Sequence, residues 1–98
     1  MSDIVLVGIN HKTAPVELRE CIAFSKEESV TAVQTLLRQP DLNEVILFAT
    51  CNRVEVLLVT DNKSRAISRT KEFIADFNKI PLEQFENALY IHEGDEAV

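Results

Sequence analysis

Glycine and proline are scarce in this chain, whose 98 residues include only 2 Gly and 3 Pro. No stretch is dominated by serine, proline or one sign of charge, which argues against linkers, low-complexity tails and internal repeats. With 46% hydrophobic and 27% charged residues, a chain of this length supports one small domain with a single core. We therefore expect residues 1–98 to fold as one unit.

The scarcity of glycine also bears on cofactors. Gly8 and Gly94 stand too far apart to form a G-x-G-x-x-G turn or a P-loop, so we expect no dinucleotide to bind through a Rossmann turn of this chain. The two histidines, His11 and His92, have no His or Cys partner at metal-ligand spacing, and we expect no metal site.

Long apolar runs and a signal sequence are also missing. Residues 4–7 and 45–49 fall far short of the roughly 20 residues that span a bilayer, and the N-terminus lacks a basic region followed by an apolar stretch. We expect a cytoplasmic protein without membrane contact, in which Cys21 and Cys51 are free thiols. The net charge of -6 opposes a broad phosphate-binding face.

The apolar pattern predicts a strand over residues 3–9, a polar loop over 10–15 and a short helix to about residue 21. Ser25 and Glu28 form a capping box that starts a helix, which Pro40 ends. The predicted inward face of this helix consists of Val30, Val33, Leu36 and Leu37.

Two β-rich runs follow, at residues 44–50 and 54–60, and their separation favours an antiparallel hairpin. Asp61 or Ser64 then caps a helix to about residue 78, and a short helical piece from Pro81 precedes a last strand at 89–92. The predicted inward stripe of this second helix consists of Ile67, Thr70, Ile74 and Phe77.

This order predicts an α+β domain of the ferredoxin-like, split β-α-β type (βαββαβ): a two-layer sandwich in which helices cover one face of a four-stranded antiparallel sheet. In the strands at residues 3–9 and 44–50, both alternating sets of side chains are apolar. We therefore expect the second face to pack on further chain or on a second subunit.

Cys51 stands in the predicted hairpin turn, with Arg53 two residues further on. A nearby cation and unpaired backbone N–H groups favour the thiolate, which is the nucleophilic form of cysteine. From the residues alone, a small buried side chain is the commoner role for such a cysteine, and we assign that role to Cys21, which lies at helical spacing from Leu18.

Three stretches resemble the glutamyl-tRNA reductases, the enzymes that open tetrapyrrole (porphyrin, haem and chlorophyll) synthesis by the C5 pathway. They read GINHKTAPV with LRE at residues 8–16 and 18–20, TCNRVE at 50–55, and YIH at 90–92. Their order and separation are similar to those of the family's N-terminal catalytic, glutamyl-tRNA-binding domain over essentially the whole chain.

The resemblance implies that Cys51 attacks the ester of glutamyl-tRNA(Glu) and holds a glutamyl thioester, which NADPH reduces to glutamate-1-semialdehyde. It implies that His92 transfers a proton or polarises the carbonyl, and that Arg53 pairs with a substrate carboxylate. The other expected substrate-binding residues are Thr50, Asn52, Asn10, His11, Lys12 and Thr13.

The family resemblance also implies an NADPH-binding domain and a dimerisation domain, neither of which is in these 98 residues. The expected partners are a second subunit and glutamate-1-semialdehyde aminotransferase, which consumes the product. In the second predicted helix, Lys63, Arg65, Arg69 and Lys71 are more simply a solvated face than a tRNA contact.

Two alternative functions, each from another class of protein, remain possible on the sequence alone. One is a non-catalytic, small-molecule-sensing module, because the same topology serves many regulatory domains. The other is a plain RNA-binding domain, which the net charge and the lack of base-stacking aromatics on the first two strands disfavour.

Overall fold

A computed structural model of the chain describes residues 3–22, 24–50 and 52–94, without the side chain of Cys21. The predicted nucleophile, Cys51, therefore lies outside the described residues. The elements are β1 (Asp3–Asn10), α1 (Val16–Cys21), α2 (Lys26–Leu37), β2 (Leu42–Ala49), β3 (Arg53–Thr60), α3 (Lys63–Asn78), two 3-10 turns (Leu82–Gln84 and Glu86–Ala88) and β4 (Tyr90–Glu93).

The strands form a four-stranded sheet in the order β2-β3-β1-β4, and every neighbouring pair is antiparallel. The predicted α+β class and antiparallel sheet are confirmed. Because β1 lies between β3 and β4, Gly8 has Glu55 opposite it on one side and Tyr90 on the other.

The core lies between one face of the sheet and the helices. Side chains alternate between the two faces of a strand, so Val5, Val7 and Ile9 of β1 point the same way, and all three are buried. They share one buried cluster with Leu36 of α2 and Ile74 of α3. Both long helices therefore cover the same face of the sheet.

The capping box at the start of α2 is confirmed, but part of the predicted inward face is wrong. The Ser25 hydroxyl accepts the Glu28 N–H at 3.1 Å, and the Ser25 N–H donates to the Glu28 carboxylate at 2.8 Å. Val30 is 59% exposed and Leu37 44%, whereas Ala32 is fully buried. The small Ala32 side chain belongs to the face in contact with the core, and the larger Val30 lies to one side.

The start of α3 differs from the prediction as well. Asn62, rather than Asp61 or Ser64, is the N-cap, and its side-chain oxygen accepts the Arg65 N–H at 3.2 Å. The hydroxyl of buried Thr60 accepts the Asn62 N–H at 3.0 Å and so fixes the cap residue.

The inward stripe of α3 is confirmed at Thr70 and Ile74, both of which are buried. Ala66 and Ala75 are buried beside them, whereas the predicted Ile67 and Phe77 are only half-buried. As in α2, alanines hold the contact positions, which a pattern of large apolar residues does not reveal.

The opposite face of the sheet carries exposed apolar side chains on the edge strand β2 and near the start of β1. Ile46 is 60% exposed, Phe48 55% and Ile4 36%. The expectation that further chain or another subunit covers this face stays a prediction.

Thr70 provides a test of the core. Its side chain is fully buried, and among the described residues its hydroxyl has no hydrogen-bond partner. A buried polar group without a partner costs about 1 to 3 kcal/mol, so Thr70→Val, which replaces the hydroxyl by a methyl group of similar shape, is expected to raise the free energy of unfolding by about that amount. Chemical denaturation measures the change.

The matched control is Thr60→Val. Thr60 is equally buried, but its hydroxyl donates to the Asp41 carbonyl and accepts the Asn62 N–H. This variant is expected to lose stability, and equal effects of the two substitutions would contradict the assignment.

Candidate functional site

The hairpin turn between β2 and β3 is closed by backbone hydrogen bonds between Thr50 and Arg53. The Thr50 N–H donates to the Arg53 carbonyl at 2.7 Å, and the Arg53 N–H donates to the Thr50 carbonyl at 3.4 Å. The Thr50 hydroxyl accepts the Asn52 N–H at 3.2 Å. In sequence, Cys51 stands between these fixed residues, Thr50 and Asn52.

A second turn follows β1 directly. The Asn10 side-chain oxygen accepts the N–H groups of Lys12 at 2.8 Å and Thr13 at 3.1 Å, while the Thr13 hydroxyl accepts the Asn10 N–H at 3.0 Å. Asparagine and threonine favour such local side-chain bonds over regular structure. The strand therefore ends at Asn10, and the turn presents Lys12 and Thr13 at the end of the sheet.

Arg19 of α1 joins these two turns. Its Nε donates to the Ala14 carbonyl at 3.2 Å, and its Nη1 donates to the Asn52 side-chain oxygen at 3.4 Å. One guanidinium thus spans from the turn after β1 to the hairpin turn, and this ties together the first two stretches that carry the family resemblance.

Gly8 makes room for a polar pair on the open face of the sheet. A Cβ atom at this position would lie 2.7 Å from Glu55 Cγ, 2.8 Å from the Val54 carbonyl oxygen and 3.1 Å from the Tyr90 hydroxyl oxygen. Because Gly8 has no side chain, Glu55 and Tyr90 meet across β1, where the Tyr90 hydroxyl donates to Glu55 Oε2 at 2.5 Å.

This pair belongs to a longer chain of contacts. Arg53 Nη1 lies 3.6 Å from Glu55 Oε1, and Asn10 lies opposite Arg53 in the β1–β3 ladder. Asn10, Tyr90, Glu55 and Arg53 thus form one polar row across three strands.

A shallow depression of about 300 Å³ lies over this row. His92 follows Tyr90 on the same face of β4, and the two rings are 5.3 Å apart. The depression is lined by Asn10, Lys12, Thr13, Glu55, Tyr90 and His92.

Four of the predicted site residues line the depression, and these are Asn10, Lys12, Thr13 and His92. Arg53 contacts the lining residue Glu55, and Asn52 is linked through Arg19 to the Ala14 carbonyl in the turn after β1. Thr50 lies in the hairpin turn, whereas His11 is exposed and is not part of the lining. The structure does not bring His11 to the depression.

The cations of α3 mostly face carboxylates. Lys63 lies 3.5 Å from Glu93, and Lys71 lies 3.5 Å from Glu86. Arg69 contacts Asp41 at 3.0 Å. These pairs make the helix a poor surface for phosphates, because each of these cations already has an anionic neighbour.

The residues of the polar row change the pKa of the Tyr90 hydroxyl, and the net effect is a rise. Burial, the hydrogen bond to Glu55 and the charge of Glu55 raise the pKa of Tyr90 from its ordinary 10.0 to about 12, against smaller opposing effects of Asn10 and Arg53. Tyr90 is therefore a protonated donor at neutral pH.

Tyr90 is the only tyrosine in a chain without tryptophan, so tyrosinate absorbance reports on this residue alone. We expect a midpoint near pH 12, and Glu55→Gln, which removes the neighbouring charge, is expected to lower it. Because the folded-state pKa is raised, the stabilisation from this group is present below pH 10 and is lost as pH rises toward 12. A midpoint near 10 in the folded chain would contradict the observed row.

Glu55, Tyr90, Gly8 and Arg19 received no role from the sequence, although all lie in or beside the resembling stretches. Residues two apart in a strand point to the same face of the sheet. The sequence therefore pairs Gly8 with Asn10, Arg53 with Glu55, and Tyr90 with His92 on one face of their strands. Only the strand order shows that these three pairs adjoin one another.

The described residues offer no evident site for a metal or a dinucleotide. Within residues 3–22, 24–50 and 52–94, no three His, Cys, Asp or Glu side chains come together as possible metal ligands. Gly8 lies inside a strand and Gly94 follows β4, so neither forms a phosphate-binding turn between a strand and a helix. No helix in the described part is long and apolar enough to cross a membrane.

The fold and the polar row together define an α+β domain with a candidate site at one end of an open sheet face. Residues 7–98 match the family described as glutamyl-tRNAGlu reductase, N-terminal domain. The chain therefore belongs to the glutamyl-tRNA reductase N-terminal domain family.

Individual relatives agree with this assignment. The chain is 47% identical over 96 residues to a glutamyl-tRNA reductase of Desulfatibacillum aliphaticivorans, covering 98% of this chain and 22% of the relative. A relative with the same name from Thermodesulfovibrio yellowstonii is 40% identical over 102 residues, covering 97% and 24%.

A solved structure of glutamyl-tRNA reductase from Methanopyrus kandleri matches 99% of this chain and 20% of its own, with a TM-score of 0.68 and 32% identity. The chain thus spans about a fifth of the length of the proteins it matches.

Proposed function

We propose that this chain is the part of a glutamyl-tRNA reductase that takes the glutamyl group from the tRNA onto Cys51. The observation that carries the proposal is the meeting of all three resembling stretches around one depression, in a chain that belongs to this family. The hairpin turn whose sequence includes Cys51 is linked through Arg19 to the turn after β1, and Arg53 contacts Glu55 in the lining of the depression.

The proposed step is a transesterification. The Cys51 thiolate attacks the carbonyl carbon of the ester that joins glutamate to the ribose at the tRNA 3′ end. A carbon–sulfur bond forms, the carbon–oxygen bond to the ribose breaks, and the departing ribose oxygen takes a proton. His92, half-buried in the depression beside Tyr90, is the proposed donor of that proton or of a hydrogen bond to the carbonyl.

Arg53 is the proposed recognition residue for glutamate. Esterification uses the α-carboxyl group, so the side-chain carboxylate is the free anion of the substrate. The Arg53 side chain is 51% exposed, and a guanidinium presents several N–H donors in the geometry that a carboxylate accepts. Its positive charge also favours the thiolate of a neighbouring cysteine.

The remaining substrate contacts come from the two turns. Thr50 and Asn52 flank Cys51 in sequence, while Asn10, Lys12 and Thr13 reach the depression from the end of β1. His11, exposed on the same turn, is assigned to the tRNA side of the substrate rather than to the glutamyl group.

We assign the second half-reaction to parts of the relatives that this chain does not span. There the thioester is reduced to glutamate-1-semialdehyde, with NADPH supplying the hydride. The described residues offer no glycine-rich turn for such a cofactor. We further propose that the complete protein is a homodimer and that an aminotransferase acting on the semialdehyde consumes its product.

We also assign the domain to the ferredoxin-like arrangement. The strand order β2-β3-β1-β4 and the packing of α2 and α3 on one face support this assignment. The fold alone is equally compatible with a sensing module, so the distinction depends on chemistry at Cys51.

The experiment uses tRNA(Glu) charged with labelled glutamate. After incubation with the chain and an acid quench, we expect label on the protein that is stable in acid and released by added thiol. Free labelled glutamate, which lacks the activated ester, is expected to give none. Absence of protein-bound label from the charged tRNA would favour the sensing module.

A further inference from the structure

The polar row on the open sheet face contains two residues, Glu55 and Tyr90, that the proposed reaction does not use directly. Glu55 contacts Tyr90 through Oε2 and Arg53 through Oε1, so both oxygens of one carboxylate are engaged. The Glu55 side chain is only 17% exposed, whereas Arg53 is 51% exposed. The largely buried carboxylate of Glu55 therefore holds the guanidinium of Arg53, which is partly exposed to solvent.

The row is also fixed at its far end. Asn10 is held by the hydrogen bonds of its own turn and lines the same depression as Tyr90. Gly8, under the centre of the row, brings the Val54 carbonyl and the Glu55 side chain so close that no methyl group fits between them and β1. Glu55 cannot move far without breaking its contacts with both Tyr90 and Arg53.

A flexible arginine binds a carboxylate more strongly when a neighbouring charge already holds its side chain in place. An unrestrained guanidinium loses rotamer freedom when it binds a carboxylate, and a charge partner that fixes it beforehand reduces that loss. The guanidinium has five N–H donors, so the ion pair at Nη1 leaves other donors for a substrate.

We propose that Glu55 and Tyr90 are positioning residues that hold Arg53 in the orientation in which it reads the side-chain carboxylate of the glutamyl group. This inference rests on the proposed function. Tyr90 holds Glu55, Glu55 holds Arg53, and Arg53 touches the substrate. The pair thus determines how strongly the site prefers glutamate to its neutral amide.

The test compares two substrates rather than one. The rate of thioester formation is measured with the same tRNA charged with glutamate or with glutamine, which differ in the carboxylate that Arg53 is proposed to bind. The ratio of the two rates does not depend on the fraction of protein that is folded. A residue that only supports the fold lowers both rates together and leaves the ratio unchanged.

We expect the ratio of the glutamate rate to the glutamine rate to fall roughly 3- to 10-fold in Tyr90→Phe and in Glu55→Gln. This range corresponds to the loss of one hydrogen bond. Because both residues act through one row, the double variant is expected to fall no further than the larger single effect. The matched control is Glu44→Gln on β2, an exposed carboxylate of the same sheet, which is expected to keep the native ratio.

The two proposals fail in different ways. If the native chain forms no thioester with either substrate, the proposed function is wrong. If the native chain forms the thioester but does not prefer glutamate, or if the preference is unchanged or increased in Tyr90→Phe and Glu55→Gln, the positioning role is overturned while the nucleophile stands.

Discussion

The Cys51→Ser variant is expected to form no thiol-labile glutamyl adduct. A serine hydroxyl is almost entirely protonated at neutral pH and is a weak nucleophile unless a general base activates it. The native cysteine requires only a fraction of thiolate, which we expect the positive charge of Arg53 to favour. The expected effect on the rate of label transfer is therefore a loss of about 10³-fold or more, the scale of removing a covalent catalyst's nucleophile.

The chain provides a matched control in its other cysteine. Cys21→Ser removes the same atom from the end of α1 and is expected to keep the label. Loss of label in both variants would point to a structural effect. Loss in Cys21→Ser alone would move the nucleophile to Cys21.

The Gly8→Ala variant is expected to have the largest effect on the fold. The added Cβ would stand 2.8 Å from the Val54 carbonyl oxygen and 2.7 Å from Glu55 Cγ. The carbonyl belongs to the β1–β3 ladder and cannot turn aside, so the strands must separate or the Glu55 side chain must leave its place. Overpacking of this kind costs typically about 1 to 3 kcal/mol of unfolding free energy.

The same change is expected to disrupt the site. Moving Glu55 breaks its contacts with Tyr90 and Arg53, so tyrosinate titration should shift down from about 12, and the preference for glutamate should fall together with the stability.

Gly94→Ala is the control for Gly8→Ala. Gly94 has a φ of 60°, and a Cβ atom added there would meet none of the described residues within 4 Å apart from its chain neighbours. This variant is therefore expected to lose only about 1 kcal/mol, through the left-handed backbone, and to keep the Tyr90 titration. Equal behaviour of the two variants would contradict the packing role of Gly8.

Much of the fold could be predicted from the sequence because its signals are local. The Ser25 capping box, the hairpin between residues 44 and 60 and the helix over 63–78 each depend on residues close in the chain. The errors arose where small residues decide the packing. Ala32, Ala66 and Ala75 are buried because they allow close approach, and a search for large apolar side chains overlooks them.

The resemblance named several residues that line the depression, but the sequence did not show how these residues are connected. The resemblance named Asn10, Arg53 and His92, yet Glu55 and Tyr90, 35 residues apart, meet only because β1 lies between their strands and has glycine at the crossing point. That arrangement follows from the sheet order, which is a long-range property. A single glycine in a strand is a recognised sign of close approach, and Gly8 was the one local clue to this crossing.

The central claim is that Cys51 carries the glutamyl group, and locating the adduct tests it most directly. The native chain is incubated with glutamyl-tRNA, quenched in acid, digested at low pH and analysed by mass spectrometry. We predict one thiol-labile glutamyl adduct, on the peptide that contains Cys51. An adduct on Cys21 or on Lys12, or a chain that stays without any adduct while the charged tRNA is intact, would contradict the claim.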